Sequence, residues 1–205
     1  PVKFFTRNFV VKLSNLWSST INFLCTKVLG VSVFVKGKNN IPRNRSILVA
    51  SNHQSAWETF FFTALFKGSV FILKDELKTI PIFSQYFKRL GFIFIKRDKG
   101  LNSIRKITKS IISLAKKGKS KFIIFPQGTR IHPREKVKIN SGFFAIHKMT
   151  GVPVLPVVHN SGEFWLNKRF TKITGKIRVV IYPIIKTIYE TLCIIIISII
   201  IINYT

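Results

Sequence analysis

A histidine and a carboxylate lie five positions apart in the run Ser51-Asn52-His53-Gln54-Ser55-Ala56-Trp57-Glu58-Thr59. On one continuous helix they would diverge by about 140°. The run, however, follows an apolar segment at 47–50 and opens a helical pattern. That places His53 in a strand-to-helix turn and Glu58 in the helix, where the carboxylate can fold back onto the ring. A carboxylate on one nitrogen of an imidazole fixes the tautomer and raises basicity, leaving the other nitrogen to take a proton. Such a pair is common and says little alone. It needs further groups.

Three more clusters supply them. Phe125-Pro126-Gln127-Gly128-Thr129-Arg130 follows another apolar run. There Gly128 allows close backbone approach, Thr129 offers a hydroxyl, and Arg130 suits a charge-assisted fork to phosphate. Gly91-Phe92-Ile93-Phe94-Ile95-Lys96-Arg97 ends an apolar run with two cations. Val152-Pro153-Val154-Leu155-Pro156 is an apolar strand marked by prolines, suited to lining a greasy pocket. The four histidines show no ligand spacing such as HExxH, so no metal is expected. Cys25 and Cys193 form neither a metal nor a disulfide pattern.

These clusters need a scaffold that brings them together. Apolar β-type runs at 31–35, 47–50, 70–73, 92–95, 122–125, 154–158 and 177–181 alternate with helical patterns at 56–66, 74–90, 101–117 and 142–150. This predicts a single α/β domain with a mixed, largely buried sheet flanked by helices. Functional loops in such folds gather at strand ends, which is where the polar clusters fall. Ahead of the domain, 3–29 reads as an amphipathic helix. Phe5, Phe9, Leu13, Leu16, Trp17 and Leu24 share one side, with Arg7, Ser14, Ser18 and Asn22 elsewhere. It is too polar to span a bilayer and suits the interfacial plane, or else it packs on the domain's own core. The Ile-rich stretch 192–202 is short for a span and reads as a buried or membrane-resting tail.

Charge narrows the partners without choosing among them. With 34 Lys+Arg against 7 Asp+Glu, the 205-residue chain carries a formal charge of +27, which attracts nucleic acid, anionic membrane and phosphorylated substrates alike. Part of that excess fits a compositional bias toward Lys, Ile, Asn and Phe. A hydrophobic fraction of 47% argues against disorder. No nucleic-acid motif is recognisable, and no nucleic-acid partner is expected.

In this order and at these separations, the four clusters resemble the blocks of the 1-acylglycerol-3-phosphate acyltransferase (lysophosphatidate acyltransferase) family, within the glycerolipid acyltransferases. The likeness runs from about Val33 to Pro183, taking in Gly37, Ile41-Pro42, Asn160-Ser161-Gly162 and Phe164-Trp165. With the segments read above on either side, this gives three regions: an amphipathic membrane-interface helix at 1–30, an acyltransferase domain at 31–183 and an apolar Ile-rich tail at 184–205. The likeness further implies that His53 is the general base on the acceptor hydroxyl and that Glu58, where the family usually has Asp, orients it. Lys96, Arg97, Gly128, Thr129 and Arg130 fall in blocks associated with the phosphorylated acceptor. Val152 to Pro156 fall in the block expected to line the acyl pocket. Gln127 replaces the family's usual Glu, which removes a negative charge beside the expected phosphate site.

The resemblance thus implies transfer of a fatty acyl group from acyl-CoA or acyl carrier protein to the sn-2 hydroxyl of lysophosphatidate, without a cofactor. The place would be the cytoplasmic face of the cell membrane, with peripheral or monotopic attachment to an anionic surface. Two alternatives stand beside it: a sister acyltransferase acting on another lysolipid or glycerol 3-phosphate, and a non-enzymatic basic protein binding membrane or nucleic acid.

Overall fold

Seven strands form one sheet in a computed structural model that describes residues 4–96, 100–118, 120–133, 135, 140–166 and 169–186. The strands are β1 (Val31–Lys36), β2 (Ile47–Ser51), β3 (Val70–Lys74), β4 (Ile93–Ile95), β5 (Lys121–Ile124), β6 (Val154–His159) and β7 (Gly175–Ile181). Their spatial order is β1-β7-β6-β2-β5-β3-β4. β6, β2, β5, β3 and β4 run in one direction; β7 is antiparallel to β6, and β1 follows β7. The sheet is mixed, and the β6–β7 pair is where its direction changes. Two consequences matter. Loops that follow β2, β5, β6 and β4 all emerge at one end, and β1 and β7 begin at that same end.

Helices α1 (Arg7–Lys27), α2 (Trp57–Leu65), α3 (Pro81–Leu90), α4 (Gly100–Lys116), α5 (Ser141–Thr150) and the short α6 (Ser161–Phe164) complete the domain. β2 is buried at every position because neighbours pair on both sides and helices cover both faces. Its side chains alternate between two cores. Leu48 and Ala50 pack with Ile107 and Ile111 of α4 and Phe143 of α5. Ile47 and Val49 pack on the opposite face with Trp57 and Phe62 of α2.

Where the sequence predicts one helix at 74–90, the chain makes a 3₁₀ segment at Asp75–Thr79 and then α3. Pro81 causes the break. It disfavours helical geometry at Ile80, which is extended at φ −83 and ψ 106, and it then starts α3 well. The isoleucine-rich 192–202 and most of the expected tail lie outside the described residues. Its first residues do not trail away: Ile185 is buried and bridges Val154.

α1 is capped by the Thr6 side chain. It crosses the sheet from the β4 edge, where Arg7 bonds to the Leu90 carbonyl, to the β1 edge, where Cys25 joins the core. Its length of about 31 Å matches the sheet width of about 29 Å. The side it packs inward is unusual. Val10, Ser14, Ser18 and Cys25 are buried, while Phe9, Leu13, Leu16 (65% exposed) and Trp17 (60% exposed) face outward. Small residues let α1 approach closely, and its large apolar residues stay uncovered. Among the described residues no helix is long and apolar enough to cross a membrane.

Candidate active site

β2 ends at Ser51, and its next residues are held by both neighbouring strands' loops. On the β6 side, the Asn52 amide donates to the His159 carbonyl at 2.7 Å and accepts from the His159 N–H at 3.1 Å. On the β5 side, the His53 N–H donates to Gln127 Oε1 at 2.8 Å, and the Ile131 N–H donates to the His53 carbonyl at 2.8 Å. The His53 ring stacks on Phe125, with centroids 4.1 Å apart. Backbone and ring are therefore both fixed by the segment that follows β5.

Glu58, in the first turn of α2, turns back toward this loop. Its Oε1 lies 2.7 Å from His53 Nδ1 and also accepts the N–H groups of Gln54 at 2.9 Å and Ser55 at 3.0 Å. Oε2 accepts from the Ser55 N–H, the Ser55 hydroxyl and, at 3.0 Å, the Ser161 hydroxyl. The side chain is fully buried. Burial alone would raise its pKa, but the His53 bond, the neighbouring imidazoles and the Ser55 bond outweigh it, and the carboxyl is lowered to about 2. An ionised carboxylate only accepts, so His53 Nδ1 must carry a proton and Nε2 presents a lone pair. His53 itself is partly open to solvent.

His159 beneath them is buried, and its geometry fixes its proton. Nε2 faces the Asn52 carbonyl at 3.0 Å and must donate; Nδ1 accepts from the Ser161 N–H at 3.3 Å. That is the neutral ring, in line with a pKa lowered mainly by burial and only partly restored by Glu58.

The other residues singled out from sequence fall into three groups. Gly128, Thr129 and Arg130 sit on the loop beside His53, with Gly128 at φ +74 closing the turn by donating to the Phe125 carbonyl. Thr129 and Arg130 are exposed, and Arg130 has no carboxylate partner among the described residues. Lys96 is exposed at the same end of the sheet, but β4 lies three strand spacings from β2, about 14 Å. Arg97 lies outside the described residues. Val152, Pro153, Val154, Leu155 and Pro156 are buried, Val152 and Val154 in one core and Leu155 in the other.

Sequence reading missed Asn52, Ser55, Gln127, His159 and Ser161 as parts of this arrangement. Ser161 lies within the stretch matched by the resemblance, yet no spacing rule links it to Glu58. What the assembly can do is plain: a partly exposed imidazole nitrogen can take and return a proton while a buried carboxylate holds the ring. Among the described residues no group of His, Cys, Asp and Glu could hold a metal.

The acyltransferase family model matches residues 32–160. The 1-acyl-sn-glycerol-3-phosphate acyltransferase of Pseudomonas aeruginosa is 35% identical over 167 residues, 82% of this chain and 64% of that protein. The Borreliella burgdorferi protein of the same name is 26% identical over 158 residues, 76% of this chain and 62% of that one. The chain thus spans somewhat under two thirds of the length of these curated relatives. The crystal structure of the 1-acyl-sn-glycerophosphate acyltransferase PlsC from Thermotoga maritima superposes with a TM-score of 0.71 at 26% identity, covering 88% of this chain and 70% of that one. The matched span runs from β1 through the end of β6 and contains His53, Glu58 and the Gln127–Arg130 loop, so the chain belongs to the acyltransferase family.

Proposed function

We propose that this chain transfers a fatty acyl group from an acyl thioester to the free sn-2 hydroxyl of 1-acylglycerol 3-phosphate, giving phosphatidate. The observation that carries the reading is the His53–Glu58 pair at 2.7 Å, which leaves Nε2 as an acceptor at an open strand end. In this mechanism Nε2 takes the hydroxyl proton as the oxygen attacks the thioester carbonyl. The tetrahedral adduct collapses with loss of the thiolate, and the imidazolium returns the proton to sulfur. A thioester is already activated, so no serine or cysteine nucleophile is needed. Glu58 keeps the ring in one tautomer and faces the charge that forms on it.

Arg130, Thr129 and Gly128, with Lys96 and Arg97 from the β4 side, would hold the acceptor's phosphate. Fixing the hydroxyl against Nε2 lowers the barrier by proximity, an effect worth several kcal/mol. Acyl-CoA and acyl carrier protein are both anionic, and a basic chain suits either donor.

The same reading puts the enzyme on an anionic membrane, at the cytoplasmic face, through α1. Its support is the outward side of that helix: an apolar row left uncovered while serines pack inward. α1 lies against Thr63 of α2, five residues beyond Glu58 and so about 8 Å along the helix. A lipid surface meeting α1 would therefore lie close to the catalytic turn. The test is purified protein with labelled lysophosphatidate, acyl-CoA and acyl carrier protein being supplied in turn, and other lysolipids and glycerol 3-phosphate competing. Phosphatidate formation is expected; consumption of another acceptor in preference would overturn the substrate assignment.

A further inference from the structure

β6 leaves the catalytic end of the sheet through α6, and between α6 and β7 the structure describes residues 165–166 and 169–174. The tip of this loop is built outward. Phe170 is fully exposed and Ile173 is half-exposed. Nothing in the core calls for a large aromatic there.

Three observations give the tip a definite form and place. The Lys172 ammonium turns inward and donates to the carbonyls of Arg169 at 2.7 Å and Phe170 at 2.9 Å, while lying 4.8 Å from the centre of the Trp165 ring. Two of the tip's carbonyls, those of Arg169 and Phe170, are thus satisfied from within, which eases their transfer out of bulk water. Its base is joined to the end of α1. Thr174 Oγ1 donates to the Leu29 carbonyl at 3.3 Å, the Gly175 N–H donates to the Gly30 carbonyl at 3.1 Å, and a Cβ at Gly30 would come within 2.7 Å of Thr174. Finally, Leu24, Val28 and Leu29 at that end of α1 are themselves exposed. Phe170 thus stands on a loop whose base is joined to the exposed apolar end of α1, at the end of the sheet where His53 lies. Arg169, next to Phe170 in the chain, and Lys27, at the end of α1, are both exposed cations.

We infer that the loop tip at Arg169–Ile173 is a second lipid contact, with Phe170 entering the headgroup boundary of an anionic bilayer and Arg169 meeting lipid phosphates. The inference rests on the membrane reading of α1 and adds a point of attachment at the catalytic end. An aromatic residue with a neighbouring cation suits that boundary, and the positive charge selects an anionic lipid surface over an apolar protein partner. Two contacts would fix the orientation of the domain on the bilayer, where one helix alone leaves it free to roll.

The experiment is partition onto vesicles of phosphatidylglycerol and phosphatidylcholine, compared with phosphatidylcholine alone, for the full chain and for Phe170→Ser, Phe170→Leu and Trp17→Ser. Thermal unfolding serves as the check on folding. Phe170→Ser should lower the partition coefficient about tenfold, as loss of one buried aromatic implies. Phe170→Leu should retain most of it. Turnover of lysophosphatidate embedded in vesicles should fall with Phe170→Ser, while turnover of a short-chain, monomeric analogue should not. If Trp17→Ser weakens binding and Phe170→Ser does not, the loop contact is overturned and the α1 reading survives. If the unaltered chain does not bind the anionic vesicles, both fail. If Phe170→Ser instead dissociates a dimer found without lipid, the tip is a protein interface and the inference is again overturned.

Discussion

The Ser161 hydroxyl donates to Glu58 Oε2 at 3.0 Å, joining the turn after β6 to the first turn of α2. Ser55 Oγ lies 2.7 Å from Ser161 Oγ and contacts the same carboxylate oxygen. One oxygen of Glu58 thus holds the histidine and the other is held by two hydroxyls. All three of Glu58, Ser55 and Ser161 are fully buried, so no water replaces a lost bond easily. Ser161→Ala should lower kcat about tenfold with little change in either KM, the scale of one hydrogen bond to a buried charge. If Ser161 acts through Glu58, the same substitution in a Glu58→Ala background should add almost nothing. Independent, additive losses in the double variant would assign Ser161 a separate structural role.

His53→Ala should reduce turnover by roughly 10²–10⁴-fold, the range for loss of a general base, in a protein that still unfolds cooperatively. Glu58→Ala should also be severe, because the carboxylate sets the tautomer that leaves Nε2 free. Glu58→Asp should fall between, since the shorter side chain can keep the histidine or the two serines but not both. Near-normal turnover of folded His53→Ala would end the proposed mechanism.

Much of this arrangement was legible in residue order. Apolar runs gave all seven strands, and because polar clusters followed β2, β4 and β5, a shared sheet end could be expected before their pairing was known. The His53–Glu58 contact was legible for the same reason: a turn followed by a helix brings the two together. Ser161 was not, because its link to Glu58 spans 103 positions and depends on β6 lying beside β2. Which side of α1 meets the domain was not legible, and both an interfacial and a core-packed helix stayed open. Hydrophobic periodicity marks an apolar side but does not say whether protein covers it, and here serines form the packed side.

His159 gives the fold a pH dependence that owes nothing to catalysis. Its pKa is lowered in the folded protein by burial, so below about pH 6.5 the unfolded chain binds a proton that the folded chain refuses. Stability must therefore fall as pH drops through that value. Glu58 acts lower: with a folded pKa of about 2, it contributes stability above the ordinary carboxyl range that is lost as pH falls toward 2. Urea midpoints measured from pH 8 to 5 should decline, and the decline should flatten in His159→Gln, even if that variant is less stable throughout. An unchanged slope would mean that another group takes up the proton.

Arg130 is exposed beside the His53 turn and lacks a carboxylate partner among the described residues, so its guanidinium is available to a substrate. Lys cannot reproduce a two-pronged contact with phosphate. Arg130→Lys should raise the KM for lysophosphatidate several-fold while altering the donor KM much less. Equal effects on both substrates would place the phosphate elsewhere.

Gln127 separates two functions that a glutamate there would combine. Its Oε1 accepts the His53 N–H at 2.8 Å, so the side chain anchors the His53 turn from the β5 loop. A carboxylate could accept the same bond, but it would add a negative charge one residue from Gly128 and three from Arg130. Gln127→Glu should therefore preserve kcat, since the anchor remains, and raise the KM for the dianionic acceptor by a few-fold. A like charge several ångströms away in partly aqueous surroundings costs about 1 kcal/mol. Raising ionic strength should shrink that increase, because the pair is partly open to solvent. Gln127→Ala should do the reverse, lowering kcat about tenfold through a looser His53 turn while leaving acceptor KM nearly unchanged. Steady-state kinetics of the two variants at low and high salt distinguish anchor from charge. If Gln127→Ala were indistinguishable from the unaltered chain, the bond to His53 would be incidental, and the stacking on Phe125 with the Ile131 bond would suffice to hold the turn.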